Sequence, residues 1–187
     1  MNCFFKCLTQ KILATFWIGN MNIKTVTIPT FNIIGTPLRT SNLNNRAATE
    51  IGPFWQNFFA QNIPEKIPNK INAETIYGIY TDYDATLVNN ANEKNVVPDD
   101  YTLIASIQTS NLDTIPQGMI GKTIPTGTYA VVPAQGPYPL ALISAWEFIW
   151  SADFPYKRAY TFDFEKYDNR FTGKEDSYAE IYIAVRA

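Results

Sequence analysis

Four short stretches of this chain recur later in it, in the same order. Thr27-Ile28-Pro29-Thr30 returns as Thr123-Ile124-Pro125-Thr126. Pro53-Phe54-Trp55-Gln56-Asn57-Phe58-Phe59, closed by Ile63-Pro64, answers to Ser144-Ala145-Trp146-Glu147-Phe148-Ile149-Trp150, closed by Phe154-Pro155. Tyr83-Asp84 matches Tyr167-Asp168, and Tyr101-Thr102-Leu103-Ile104 matches Tyr178-Ala179-Glu180-Ile181. Every difference in length falls between the blocks, in loops, where insertions cost little. A chain duplicated in this way is expected to fold as two like halves about a pseudo-twofold axis.

Each copy reads as strand, helix, strand, strand. Residues 26–34 and 122–132 are rich in β-branched and aromatic side chains and bounded by Gly or Pro, as strands are. Helices are expected over 45–61 and 139–152. In the second, Leu142, Trp146, Ile149 and Trp150 share one face, and Pro139 stands near the first turn, where its missing N–H costs nothing. Pro53 predicts a kink or a later start in the first helix. Strands follow over 75–83 and 159–167, then over 101–108 and 178–186. The fold class is therefore α+β: duplicated βαββ halves with antiparallel sheets, helices outside and a ligand cleft between the halves. Residues 1–20 read as an N-terminal extension and 21–187 as a single domain of two repeats, about 21–111 and 117–187.

Composition narrows the chemistry. At 187 residues and 46% hydrophobic content the chain can bury one shared core. It contains no histidine, which removes histidine-based nucleophile systems, histidine metal sites and histidine-ligated haem. Net charge is −2 and the basic residues are scattered, so no electrostatic footprint for direct nucleic-acid binding is present. Cys3 and Cys7 read as incidental thiols rather than a disulfide or metal pair. The polar loop over 84–100 lacks the mid-loop glycine of a calcium-binding loop. The first 20 residues are too short and too interrupted by Lys6 and Lys11 to span a bilayer, and no signal-peptide cleavage site follows them. The expectation is a cytoplasmic protein with no cofactor, no metal and no membrane partner.

Side chains alternate along a strand, so Tyr178, Glu180 and Tyr182 share one face of the last strand and Ala179, Ile181 and Ile183 the other. The first face is either solvent-exposed or the wall of a pocket. As a pocket wall it suits an apolar cation, because a buried carboxylate needs a counter-charge and tyrosine faces attract cations. Trp55, Trp146 and Trp150 are core residues or pocket walls on the helices. Tyr77, Tyr129 and Tyr160 are further candidates on neighbouring strands.

Over residues 21–186 the chain resembles the GyrI-like, or AraC-type, effector-binding domains of bacterial transcription activators. The resemblance is carried by Gly127-Thr128-Tyr129-Ala130-Val131-Val132-Pro133 with Gly136-Pro137, the helix with Trp146, Phe164-Glu165-Lys166-Tyr167, and Glu180-Ile181-Tyr182-Ile183. Ile79-Tyr80-Thr81-Asp82-Tyr83 and Asp100-Tyr101-Thr102 match the family's middle hairpin. The resemblance implies a multidrug-binding type of pocket in which Glu180 meets hydrophobic, often cationic, small molecules. No DNA-binding helices are recognisable, so the chain is similar to stand-alone members, including those carried on mobile cassettes, with a drug-sensing or transcription-regulation role exerted through a protein partner. The same family implies two alternatives: a hydrolase of electrophilic small molecules using the same glutamate with Tyr178 or Tyr182, and an inhibitor of DNA gyrase. No catalytic residue is assigned, and the oligomeric state stays open.

Overall fold

The computed structural model describes residues 23–84 and 97–186. The expectations about Cys3, Cys7, the N-terminal extension and most of the acidic loop fall outside the described residues. Strands β1 (Lys24–Ile28) and β2 (Phe31–Ser41) precede helix α1 (Arg46–Ala60) and the single-turn α2 (Ile63–Lys66). Strands β3 (Ile76–Thr81) and β4 (Asp100–Thr109) complete the first half. The second half runs through β5 (Ile120–Ile124), β6 (Gly127–Gly136), α3 (Leu140–Trp150), β7 (Asp163–Tyr167) and β8 (Ser177–Ala184). Among the described residues no helix is long and apolar enough to cross a membrane.

All eight strands join one antiparallel sheet in the order β1-β6-β8-β7-β3-β4-β2-β5. Reversing that order exchanges each strand with its repeat counterpart, so the pseudo-twofold axis runs between β7 and β3. Each expected first strand is in fact two. Pro29 and Pro125, which cannot donate a ladder hydrogen bond, fall just after β1 and β5. Beyond each break the chain changes partners. β1 pairs with β6 of the other half, and β5 pairs with β2. The two Thr-Ile-Pro-Thr copies meet there: the Thr30 amide donates to Thr126 Oγ1 at 3.1 Å, and the Thr30 hydroxyl donates to the Ile124 carbonyl at 2.9 Å.

Strand register places the symmetry residue by residue. The pair Phe31 and Ile124 recurs as Gly127 and Ile28. Ile34 and Ile107 recur as Ala130 and Ile183, and Tyr77 and Ser106 as Phe164 and Tyr182. Under this correspondence Gly78 answers to Glu165, Tyr80 to Tyr167 and Leu103 to Ala179. The sequence match of Leu103 with Glu180 is therefore one residue out, and that of Tyr83 with Tyr167 is three out. A one-residue slip sends a strand side chain to the opposite face. The true counterpart of Glu180 is Ile104.

Helices α1 and α3 cover the same face of the sheet. Phe58 of α1 packs on Ile34, Ala105 and Ile107, while Ala145, Phe148 and Ile149 of α3 pack on Val132, Ile181 and Ile183. The other face buries Ile33, Ile79, Ile104, Ile124, Tyr129 and Phe164, with Val26, Ile28, Phe31 and Ile120 closing over them. Neighbouring Ile33 and Ile34 are thus both fully buried although they point in opposite directions. Helix α1 runs unbroken through Pro53. That residue lies on the exposed side, where water can take the carbonyl that lost its partner.

Candidate functional site

Beneath the two helices the central strands carry a carboxylate on the symmetry axis. Gly78 of β3 and Glu165 of β7 are direct cross-strand partners as well as counterparts in the repeat, so the axis passes between them. Directly paired residues project from the same face, here the helix-covered one. Gly78 leaves the space that Glu165 and a tryptophan take: a Cβ there would lie 3.0 Å from Glu165 Oε2 and 3.1 Å from the Trp55 indole.

Glu165 is 1% exposed and is held by neutral donors. Tyr80 Oη donates to Oε1 at 3.0 Å, Trp146 Nε1 donates to Oε1 at 2.7 Å, and Tyr167 Oη donates to Oε2 at 2.6 Å. Tyr80 and Tyr167 are repeat counterparts, each gripping one oxygen from its own side of the axis. Trp55 and Trp146 are counterparts too, and each meets the other half's tyrosine edge to face. Trp146 and Tyr80 have ring centroids 5.0 Å apart, and Trp55 and Tyr167 5.8 Å. One carboxylate is thus flanked by two matching Trp–Tyr pairs.

Burial pushes the Glu165 carboxyl above its ordinary range, and the bonds from Tyr167, Trp146 and Tyr80 pull only part of the way back. Burial, then the nearby Glu165 charge, raises Tyr80 and Tyr167 well above ordinary phenols. Both therefore remain donors at neutral pH. Among the described residues no lysine or arginine forms an ion pair with Glu165.

Glu180 lies on the opposite face of the sheet. Tyr182 Oη donates to it at 3.0 Å and Tyr178 Oη at 3.4 Å. Arg170 Nη2 stands 3.3 Å away and Lys166 Nζ 3.8 Å. Arg170 also lies 4.2 Å over the Tyr178 ring, and its bond to Asp168 holds that carboxyl down to about 2. Tyr182 stacks on Phe164 at 4.5 Å, with Tyr129 and Tyr77 around the same ring. A polar cavity of about 480 Å³ opens beside Tyr77, Lys166, Asp168, Glu74 and Gln108.

The nine residues singled out in sequence thus fall into three places. Trp55 and Trp146 meet at Glu165, with Trp150 against Trp146 at 5.7 Å. Tyr77, Tyr129, Tyr178, Glu180 and Tyr182 gather on the far face. Tyr160 is buried in the cluster that holds Tyr80, Tyr83 and Tyr101 and against which Trp146 packs, with Arg158 over its ring. Glu165, Tyr80, Tyr167 and Gly78 were not singled out as site residues. The available signals were a glycine inside a strand, which marks close approach of another group, and a glutamate alternating with Asp163 and Tyr167 along one face of its strand.

A family model, Cass2, described as integron-associated effector binding protein, matches residues 24–185. The chain is 26% identical to the transcriptional regulator BrlR of Pseudomonas aeruginosa over 182 residues, covering 95% of this chain but only 60% of BrlR. It is 25% identical to the putative transcriptional regulator YobU of Bacillus subtilis, over 81% of this chain and 90% of YobU. Among solved structures it is similar to the integron cassette protein VCH_CASS2 of Vibrio cholerae, at 26% identity and a TM-score of 0.64, covering 89% of this chain and 97% of that one. SAV2435 bound to tetraphenylphosphonium shares the fold, at 18% identity and a TM-score of 0.71, over 89% and 95% of the two chains.

Proposed function

The chain belongs to the Cass2 family of integron-associated effector binding proteins, and we propose that it binds hydrophobic cations with Glu165 as the counter-charge. The observation that carries this reading is the company of that carboxylate: it is buried and aromatic-walled, and it is paired with no basic side chain among the described residues. Its three hydrogen bonds offset part of its desolvation, and a cation supplies the missing charge. Glu180 was the sequence candidate for this role, but Arg170 and Lys166 already stand beside it. Tetraphenylphosphonium on SAV2435 illustrates the ligand class. Trp55 and Trp146, both half-buried, flank the carboxylate from the two halves. The kinship with BrlR and YobU supports a regulatory use of such binding.

The test is calorimetric titration of tetraphenylphosphonium and the neutral triphenylphosphine oxide into wild type, Glu165→Gln and Glu180→Gln. Loss of an interaction between buried charges is worth ~2–5 kcal/mol, so Glu165→Gln should weaken the cation at least tenfold and leave the neutral compound nearly unchanged. Cation affinity lost only in Glu180→Gln would move the site to the far face. Because the cation needs the ionised carboxylate, affinity should fall as pH drops through the raised Glu165 pKa, and binding at the lower pH should release a proton.

A further inference from the structure

Glu165 stands on the pseudo-twofold axis, and its aromatic neighbours come in two matching sets. Trp146 with Tyr80 lies on one side and Trp55 with Tyr167 on the other, each pair in the same edge-to-face arrangement. A ligand that places its charge at the carboxylate can reach both sets only if the charge lies between two aromatic groups. A ligand with charge at one end fills one set and leaves the other unused. Gly78 lets Glu165 and Trp55 come close together on the second side, because any Cβ there would lie 3.0 Å from Glu165 Oε2 and 3.1 Å from the Trp55 indole.

We propose that the site selects cations whose charge lies between two aryl arms, and that Gly78 is a specificity-determining residue for the second arm. This rests on the assignment of Glu165 as counter-charge. Each arm stacks on one tryptophan, and the cationic centre sits over the carboxylate, where both tyrosines already hold the oxygens in place. The two arms are equivalent in kind because the repeat supplies the same residues from both halves.

Two isomeric probes test it with equal charge, formula and ring count: dibenzyldimethylammonium, with nitrogen between two phenyl rings, and (biphenyl-4-ylmethyl)trimethylammonium, with nitrogen at one end. Wild type should bind the first at least tenfold more tightly. Gly78→Ala should bring the two isomers to within about twofold, chiefly by weakening the first. Trp55→Leu and Trp146→Leu should each do the same, since either removes one arm's wall. Equal binding of both isomers by wild type overturns the proposal while leaving cation binding intact. Binding of neither isomer, with tetraphenylphosphonium also unbound, overturns the assignment of Glu165 beneath it. The wild-type comparison needs no variant, so a misfolded Gly78→Ala protein leaves the decision intact.

Discussion

Asp163 and Glu165 leave the same strand on the same side, two residues apart, and both are buried, yet they are held by different means. Asp163 faces Arg158 at 2.6 Å, with both side chains wholly inaccessible. Tyr83 Oη donates to it at 2.6 Å, and the Ala184 amide at 2.7 Å. Among the described residues Glu165 has only neutral donors. An acid with its own cation is complete within the fold and ties strands and loops together. One with dipoles alone is held in place but still lacks a charge. A buried acidic residue therefore needs its partners named before it is assigned to structure or to binding.

The contrast is broken first at the complete pair. Arg158→Met leaves Asp163 buried without its cation, and removal of one partner from a buried pair costs ~3–5 kcal/mol. Urea unfolding should show a loss of that size, with cation binding at the other carboxylate retained in whatever fraction stays folded. A loss below about 1 kcal/mol, the range of exposed pairs, would mean that Asp163 is not held by Arg158. Next comes Tyr167→Phe, which removes one of the bonds holding Glu165. Hydrogen bonds to charged groups contribute ~1.5–3 kcal/mol, and the carboxyl should titrate still higher in this variant, as seen by NMR of the labelled side chain.

A smaller effect tests Glu165 by pH. The folded-state pKa of Glu165 lies above its ordinary 4.5, so the folded protein holds this proton more tightly than the unfolded chain does. Stability from this group is fully present below about pH 4.5 and is lost as pH rises through the folded pKa. Melting temperatures should show wild type falling relative to Glu165→Gln across that rise, and a difference that stays flat with pH would remove the raised pKa. The smallest change is expected at Glu180→Gln, whose half-exposed basic partners bring it near the ~0–1 kcal/mol of surface pairs.

The broad architecture was legible because duplication repeats its own signals. Two copies of each pattern fixed the strand and helix order, and helix α3 ends within two residues of its expectation. The break at Pro29 and Pro125 was visible as prolines, but sequence gives no sign that the chain changes partners there. The site was half legible. Trp55 and Trp146 stand out as large aromatics in matched blocks, whereas Glu165 is identified only by register. Counting along β8 gave Glu180, a carboxylate among tyrosines, and nothing in the strand reveals that Lys166 lies directly across from it. The offset between repeats changes at each connection after the second strand, so a slip of one to three residues in matching the later strands was enough to hide the pairing of Gly78 with Glu165.

That pairing also speaks to descent. A dimer of two identical half-length chains, exchanging their first strands as β1 and β5 do here, would bring the same residue to the axis from both sides. It could offer two carboxylates in mutual repulsion or two glycines with no charge, never one of each. A lone acid at the centre therefore requires two halves that differ in sequence at this place, as Gly78 and Glu165 do within this single polypeptide.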